Sequence, residues 1–314
     1  MFEGIGNGIS LVKESFKVFV RHPAFIIPLI ISWLIYAPTI LYLKFWLPWN
    51  SLSLPQSLIV AFIIIFLFAG ILSFSCTILL ELIMQLEVTG KLDIDKALGK
   101  RFGKDIINIL PIVLIWTIIW FILLIIEAML SKSKDKNNDK LTTENAAKTL
   151  AGYNNISLSI GFIRAIEKGV RMIVFLILPA IVWEKLNFVQ AIKKGIAVFK
   201  AHFSEFATGF VLTGSAQFIL YLPPAIVFEI VDKYNITLSD LTWYFLFIYI
   251  AFAWSYSMYL EQMFSAQLYL WHLKWQDEVN VAKAKNTALP SLKSIEKPSI
   301  LDDSHYLKER LNTK

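Results

Sequence analysis

The sequence predicts an all-α fold: a polytopic transmembrane bundle of about six spans in three hairpins, each preceded by a basic amphipathic interfacial helix. Three observations predict it. Uninterrupted apolar runs recur at about 20 residues, the length that crosses roughly 30 Å of hydrocarbon at 1.5 Å per residue. The chain is 56% hydrophobic and 17% charged over 314 residues, too apolar for an ordinary soluble domain. Short stretches with lysines on one helical face and large apolar residues on the other stand before alternate runs.

Residues 9–21 open the pattern, with Ile9, Val12, Phe16 and Phe19 on one face and Lys13, Lys17 and Arg21 on the other. Such a helix is expected on the membrane surface. Span 1 is expected at 24–43, with Pro28 and Pro38 inside and Trp33, Tyr36, Trp46 and Trp49 towards its far end, where an aromatic belt belongs. An uncharged connection leads to span 2 at 58–80, which Glu81 and a polar stretch end. Asp93 then caps a second basic helix, with Ile94, Leu98 and Phe102 opposite Lys96, Lys100 and Lys104. Span 3 follows at 106–126.

Residues 131–158 turn abruptly polar and read as a mobile loop. Span 4, at 160–183, has only 12 uncharged residues, Met172 to Trp183, and must carry Arg164, Glu167, Lys168 and Arg171 near its start. Basic side chains near a helix end snorkel to the interface; the alternative is a re-entrant segment, which leaves five spans. Asn187 and Gln190 form a capping box that opens a third basic helix, with Phe188, Ile192, Phe199 and Phe203 opposite Lys193, Lys194 and Lys200. Span 5 is expected at 206–230, its small residues Gly209, Thr213, Gly214, Ser215 and Ala216 suited to close helix contact and Pro223 and Pro224 loosening its end. Span 6 is expected at 241–260, continuing as helix through Trp275, and residues 276–314 as a flexible polar tail.

An offset of 180 residues lays Lys13 on Lys193, Val18 on Val198, Phe19 on Phe199 and His22 on His202, a repeated lead-in that either duplication or shared amphipathic design produces. With both termini inside, the inner segments hold 20 of the 30 Lys and Arg, as the positive-inside bias requires. The expected location is the plasma membrane, a prokaryotic inner membrane, with anionic headgroups as the acidic neighbours of a chain of net charge +6. Basic loops between spans do not point to nucleic acid. Cys76 is the single cysteine, so no intrachain disulfide forms.

No motif carries catalysis. Gly4-Ile5-Gly6-Asn7-Gly8 lacks the strand and third glycine spacing of a dinucleotide fingerprint, and Gly99 to Asp105 lacks the spacing and hydroxyl of a phosphate loop. Both read as flexible chain near helix ends. His22, His202, His272 and His305 are too scattered for a metal set. No cofactor and no enzymatic activity are expected. The remaining chemistry lies in carboxylates at span boundaries, Glu81, Glu184 and Glu261 inside and Glu127 and Glu229 outside, and in Gln217, deep in span 5. Structural ion pairing and helix-to-helix hydrogen bonding are their bland roles; a polar path is the sharper one. Lys13, Lys17, Lys96, Lys100, Lys193, Lys194 and Lys200 are the candidate contacts to lipid or to a protein partner.

Pro179, Glu184, Ala191-Ile192-Lys193-Lys194, Phe199-Lys200 and Leu268-Tyr269 resemble a widespread family of prokaryotic six-span membrane proteins that carries no established activity. The likeness covers residues 2–275. Gly195 stands where that family often has Ser, and Phe203-Ser204-Glu205 where it often has Trp-Gly-acid. A non-enzymatic membrane protein contacting anionic lipid, a protein partner or a second copy of itself is the first functional expectation. A transporter or lipid-translocating protein with a polar path near Gln217 is the alternative.

Overall fold

The computed structural model describes residues 2–48, 51–99, 104–132, 158–297, 299–301 and 306–312. Helix α1 spans Phe2–Arg21, and a 3-10 turn at Pro23–Ile26 leads into α2, Ile27–Phe45. Then come α3 (Leu54–Thr89), α4 (Ile94–Gly99), α5 (Lys104–Lys132), α6 (Leu158–Val182), α7 (Phe188–Ala201), α8 (Phe203–Tyr234), α9 (Asp240–Ala284) and α10 (Tyr306–Asn312). Among the described residues there is no strand. The helices α2, α3, α5, α8 and α9 are long and apolar enough to cross a membrane.

Each long helix outruns the apolar stretch that announces it. Helix α3 runs 36 residues, about 54 Å at 1.5 Å per residue, and passes through Glu81 and the polar stretch expected to end it. Good helix formers continue to Thr89, and only Gly90, at φ 65°, stops it. Its start is fixed by Ser53 and Gln56 in a capping box. Helix α8 runs unbroken through Pro223 and Pro224 to Asn235, whose left-handed backbone ends it. The proline pair therefore does not loosen the end of this helix. Helix α9 runs 45 residues past Trp275 to Ala284.

Three helices, α3, α6 and α9, touch one another at the centre, where residues 257–273 of α9 are buried on every side. Around them α2 packs on α3 and α9, α5 on α3 and α6, and α8 on α9 and α6. The shorter helices close the arrangement: α4 lies on α3, α7 on α6, and α1 on α8 and α9.

Helix α1 divides into three stripes. Leu11, Ser15 and Val18 are buried against its neighbours, and Gly4 and Gly8 let it approach so closely that an added Cβ would lie 2.3 Å from Ser204 Oγ and 2.6 Å from Thr208 Cβ. These glycines are helix-packing residues, not flexible chain. The apolar face expected as one is split: Val12 and Phe19 are buried, whereas Ile9 and Phe16 join Ile5 and Val20 on an exposed apolar stripe. Lys13 and Lys17 occupy the third stripe, exposed.

Helix α7 repeats the scheme. Ala191, Gly195 and Val198 are buried, Val189 and Ile196 are exposed and apolar, and Lys193 and Lys200 are exposed. Its start is the expected box, with Gln190 N donating to Asn187 Oδ1 at 3.0 Å. Gly195 has its own reason: a Cβ there would sit 2.6 Å from Ile177 Cγ1 and 3.2 Å from the Ile177 backbone nitrogen.

The segment expected as a flexible tail is fixed at several points. Trp271 Nε1 donates to Ile295 O and Trp275 Nε1 to Pro290 O, each at 3.1 Å, and the Ile300 amide donates to Glu14 Oε1 on α1 at 2.7 Å. Indole N–H groups buried beside apolar surface need acceptors, and the returning backbone supplies them. The polar loop at 131–158 and Lys100 lie outside the described residues, apart from the ends of α5 and α6.

Candidate functional site

Arg164, Glu167, Lys168 and Arg171 are spaced at i, i+3, i+4 and i+7, so a helix brings them to one face. On α6 that face turns into the bundle, and the opposite face presents Phe162 and Ile166 outwards. The upper half of α6 is therefore amphipathic in the reverse sense to a surface helix of a soluble protein. Its charges do not snorkel away from the protein; they find partners on three other helices.

Glu261, on α9, is the centre of the site and has no exposed surface. Arg171 Nε donates to its Oε2 at 2.8 Å and Nη2 to its Oε1 at 3.2 Å, a two-pronged pair. Arg171 Nη1 also donates to Glu167 Oε1 at 3.0 Å. Lys168 Nζ lies 3.3 Å from Glu261 Oε1 and 5.1 Å above the Phe210 ring of α8. One turn further up, Arg164 donates to Glu127 of α5 at 2.7 Å.

From α8, Gln217 Nε2 donates to Tyr221 Oη at 3.1 Å, and Tyr221 is within electrostatic reach of Arg164, Glu167 and Arg171. Three acids and three bases cancel in this column. Side-chain exposure falls along it from 34% at Arg164 to 4% at Arg171 and 0% at Glu261, so the column leads from a rim to a closed end.

A second cluster sits where α6 ends. Glu184 accepts from Tyr269 Oη and from Arg310 Nη2 of α10 at 3.2 Å, with Lys194 Nζ 3.7 Å away. Lys194 is also bonded to Gln276, and Arg310 reaches Asp277 at 2.8 Å. Glu184, Lys194 and Tyr269 thus meet in one place. Opposite charges, half-buried and mutually satisfied, make this a structural tie between α6, α7, α9 and α10.

The remaining expected site residues are dispersed. Glu81 is buried on α3, and Glu229 is exposed on α8. Lys13, Lys17, Lys96, Lys193 and Lys200 are exposed on α1, α4 and α7. The column was reachable from sequence only in part. The charge spacing within span 4 was its signal, whereas Tyr221 and the pairing of Glu261 across 90 residues had none.

His202 and His272 come together from a distance in sequence, with ring centroids 5.5 Å apart and His202 fully buried beside Trp271. Among the described residues no three His, Cys, Asp or Glu side chains are placed to hold a metal ion. Burial holds the His202 imidazole at about 3, well below its ordinary 6.5. The unfolded chain then binds the extra proton first as pH falls, so stability is fully present above about 6.5 and declines towards the folded value, by at most about 1.4 kcal/mol per pH unit. Burial lowers the neighbouring His272 to about 4 as well, so melting curves of the purified protein between neutral pH and pH about 4.5 should show that decline, and His202→Gln should reduce it to the share of His272.

Comparison with protein-family models, with curated proteins and with solved structures finds no match.

Proposed function

We propose that the protein is a non-enzymatic plasma-membrane protein of six spans, α6 being the fourth, in three hairpins each led by an interfacial helix, with both termini cytoplasmic. We further propose that it moves a charged solute or a lipid headgroup along the inward face of α6. The observation that carries this reading is Glu261, fully buried and held by Arg171 and Lys168. A buried ion pair is a poor stabiliser, because well-packed apolar residues of the same volume serve as well or better. Ionisable groups inside a membrane domain therefore point to a path. The column's rising exposure towards Arg164, and Gln217 and Tyr221 along the facing helix, fit a route with one open end.

The test is flux from proteoliposomes, read with labelled inorganic phosphate and with a fluorescent phospholipid. Glu261→Gln and Gln217→Leu are each expected to lower it about tenfold or more, while Glu184→Gln, in the structural tie, leaves it near the native rate. Native flux in Glu261→Gln would count against the path.

A second reading has its own observation: on α1 and α7 an exposed apolar stripe runs beside exposed lysines. That is the geometry of helices bedded at a membrane surface rich in anionic headgroups. Reversing Lys13, Lys17, Lys193 and Lys200 to Glu should weaken retention of phosphatidylglycerol by about 1 kcal/mol per site near the surface, measured by native mass spectrometry; undiminished retention rejects this reading. The resemblance to the six-span prokaryotic family is part of the same proposal, carried by Glu184, Lys194 and Tyr269.

A further inference from the structure

A guanidinium and an ammonium converge on one carboxylate at the closed end of the column, which is the donor arrangement of an anion site. Here the anion is the protein's own. Arg171 meets Glu261 with two parallel N–H groups, the fork that fits two oxygens of a carboxylate or of a phosphate equally well. Lys168 Nζ stands 3.3 Å from the same carboxylate, adding a second cation with three rotatable N–H groups to the fork. Opposite it α8 has Gly214, where an added Cβ would lie 3.0 Å from Lys168 Nζ. A larger residue there would press on the ammonium.

We infer that this is an exchange site, in which a phosphate-bearing monoanion displaces the Glu261 carboxylate from Arg171 and Lys168, entering past Arg164 between α6 and α8. The inference rests on the transport reading and names the class of its substrate. Charge sets the valence. Glu261 has no exposed surface through which to carry its charge into water, so it leaves Arg171 and Lys168 by taking up a proton that enters with the anion; three cations then face two carboxylates, Glu127 and Glu167, and one positive charge is left over. A singly charged phosphodiester, or singly charged inorganic phosphate, restores the balance without leaving net charge in a low-dielectric site. The reach also fits: Arg164 to Arg171 covers seven residues, about 10 Å of helix, so an entering phosphate passes from one cation to the next. Beside Gly214 and Gln217, α8 exposes Val211 and Phe218, apolar surface on which the acyl chains of a lipid phosphodiester could remain while its headgroup enters.

The experiment uses the full chain purified in detergent and two probes at fixed salt and near-neutral pH, dioctanoyl phosphatidylglycerol and inorganic phosphate, with binding followed by calorimetry. Glu261→Gln keeps the shape and removes the competing charge, and is expected to bind at least one probe about tenfold more tightly than the native chain. A gain with the lipid alone assigns a membrane source, and a gain with inorganic phosphate alone assigns a dissolved one. The gain should vanish in Arg171→Gln/Glu261→Gln. No gain with either probe, or a gain that survives in the double variant, overturns the exchange site.

Should Glu261→Gln not yield folded protein, Glu261→Asp, one methylene short of Arg171, is expected to show a gain of about threefold, and its absence overturns the site equally. A gain in binding with no flux through the native protein leaves the anion site standing and removes transport. Flux without the gain does the reverse.

Discussion

Arg171→Leu is expected to destabilise the protein by about 3–5 kcal/mol, the cost of leaving a buried charge without its partner. The guanidinium is 4% exposed and holds two carboxylates, Glu261 and Glu167. Without it, Lys168 can neutralise only one of them. Lys168 stands against Glu261, so the carboxylate left over is Glu167, whose side chain is only 18% exposed. At about 2–4 °C per kcal/mol, the melting midpoint in detergent should fall by roughly 10 °C.

The double variant Arg171→Leu/Glu261→Leu is the informative partner. It removes both charges and fills the space with apolar atoms, and it should regain most of the lost stability, as replaced buried pairs do. A double variant no more stable than Arg171→Leu would show that the pair is held for packing and not for charge. A double variant that is stable and carries no flux would separate the proposed path from the structural cost of the pair.

The apolar runs expected as spans 1, 2, 3, 5 and 6 all lie in long helices, for a reason local to each run. In hydrocarbon a single segment satisfies its own backbone only as a helix, so composition alone decides the outcome. Composition marks where lipid ends and not where the helix ends. Hence α3 continues through Glu81 to Gly90 and α9 continues to Ala284. The capping box at Asn187 was legible because both partners lie within three residues.

What was not legible depended on partners far away in sequence. The charges of α6 looked like the end of a helix reaching for water, because their acceptors stand on other helices, Glu127 at a separation of 37 residues and Glu261 at 90. The order of the C-terminal segment failed to show for the same reason, since its anchors are the indoles of Trp271 and Trp275 and the carboxylate of Glu14.

Gly209→Ala should be the most damaging single-methyl addition among the glycines described. An added Cβ would lie 2.1, 2.3 and 2.6 Å from three atoms of the Phe264 ring. A flexible side chain would swing away, but Phe264 is rigid and has no exposed surface, on a stretch of α9 buried all round. The helices must therefore separate, and overpacking of this kind costs about 1–3 kcal/mol or more. Gly70→Ala is the control, because its Cβ would meet only Val113 Cγ1, at 3.9 Å, and a helix gains from the exchange.

Thermal melts should place Gly209→Ala well below the native protein and Gly70→Ala at or slightly above it. Phe264→Leu in the Gly209→Ala background should restore part of the loss, since a branched aliphatic side chain can turn from the new methyl where a ring cannot. Equal melting of the two alanine variants would mean that α8 and α9 do not approach as closely as Gly209 allows. The effect should extend to the polar column, because Gly214, Gln217 and Tyr221 follow on the same helix. A displaced α8 moves the wall facing Lys168, so Gly209→Ala should also alter the proposed flux in whatever fraction remains folded.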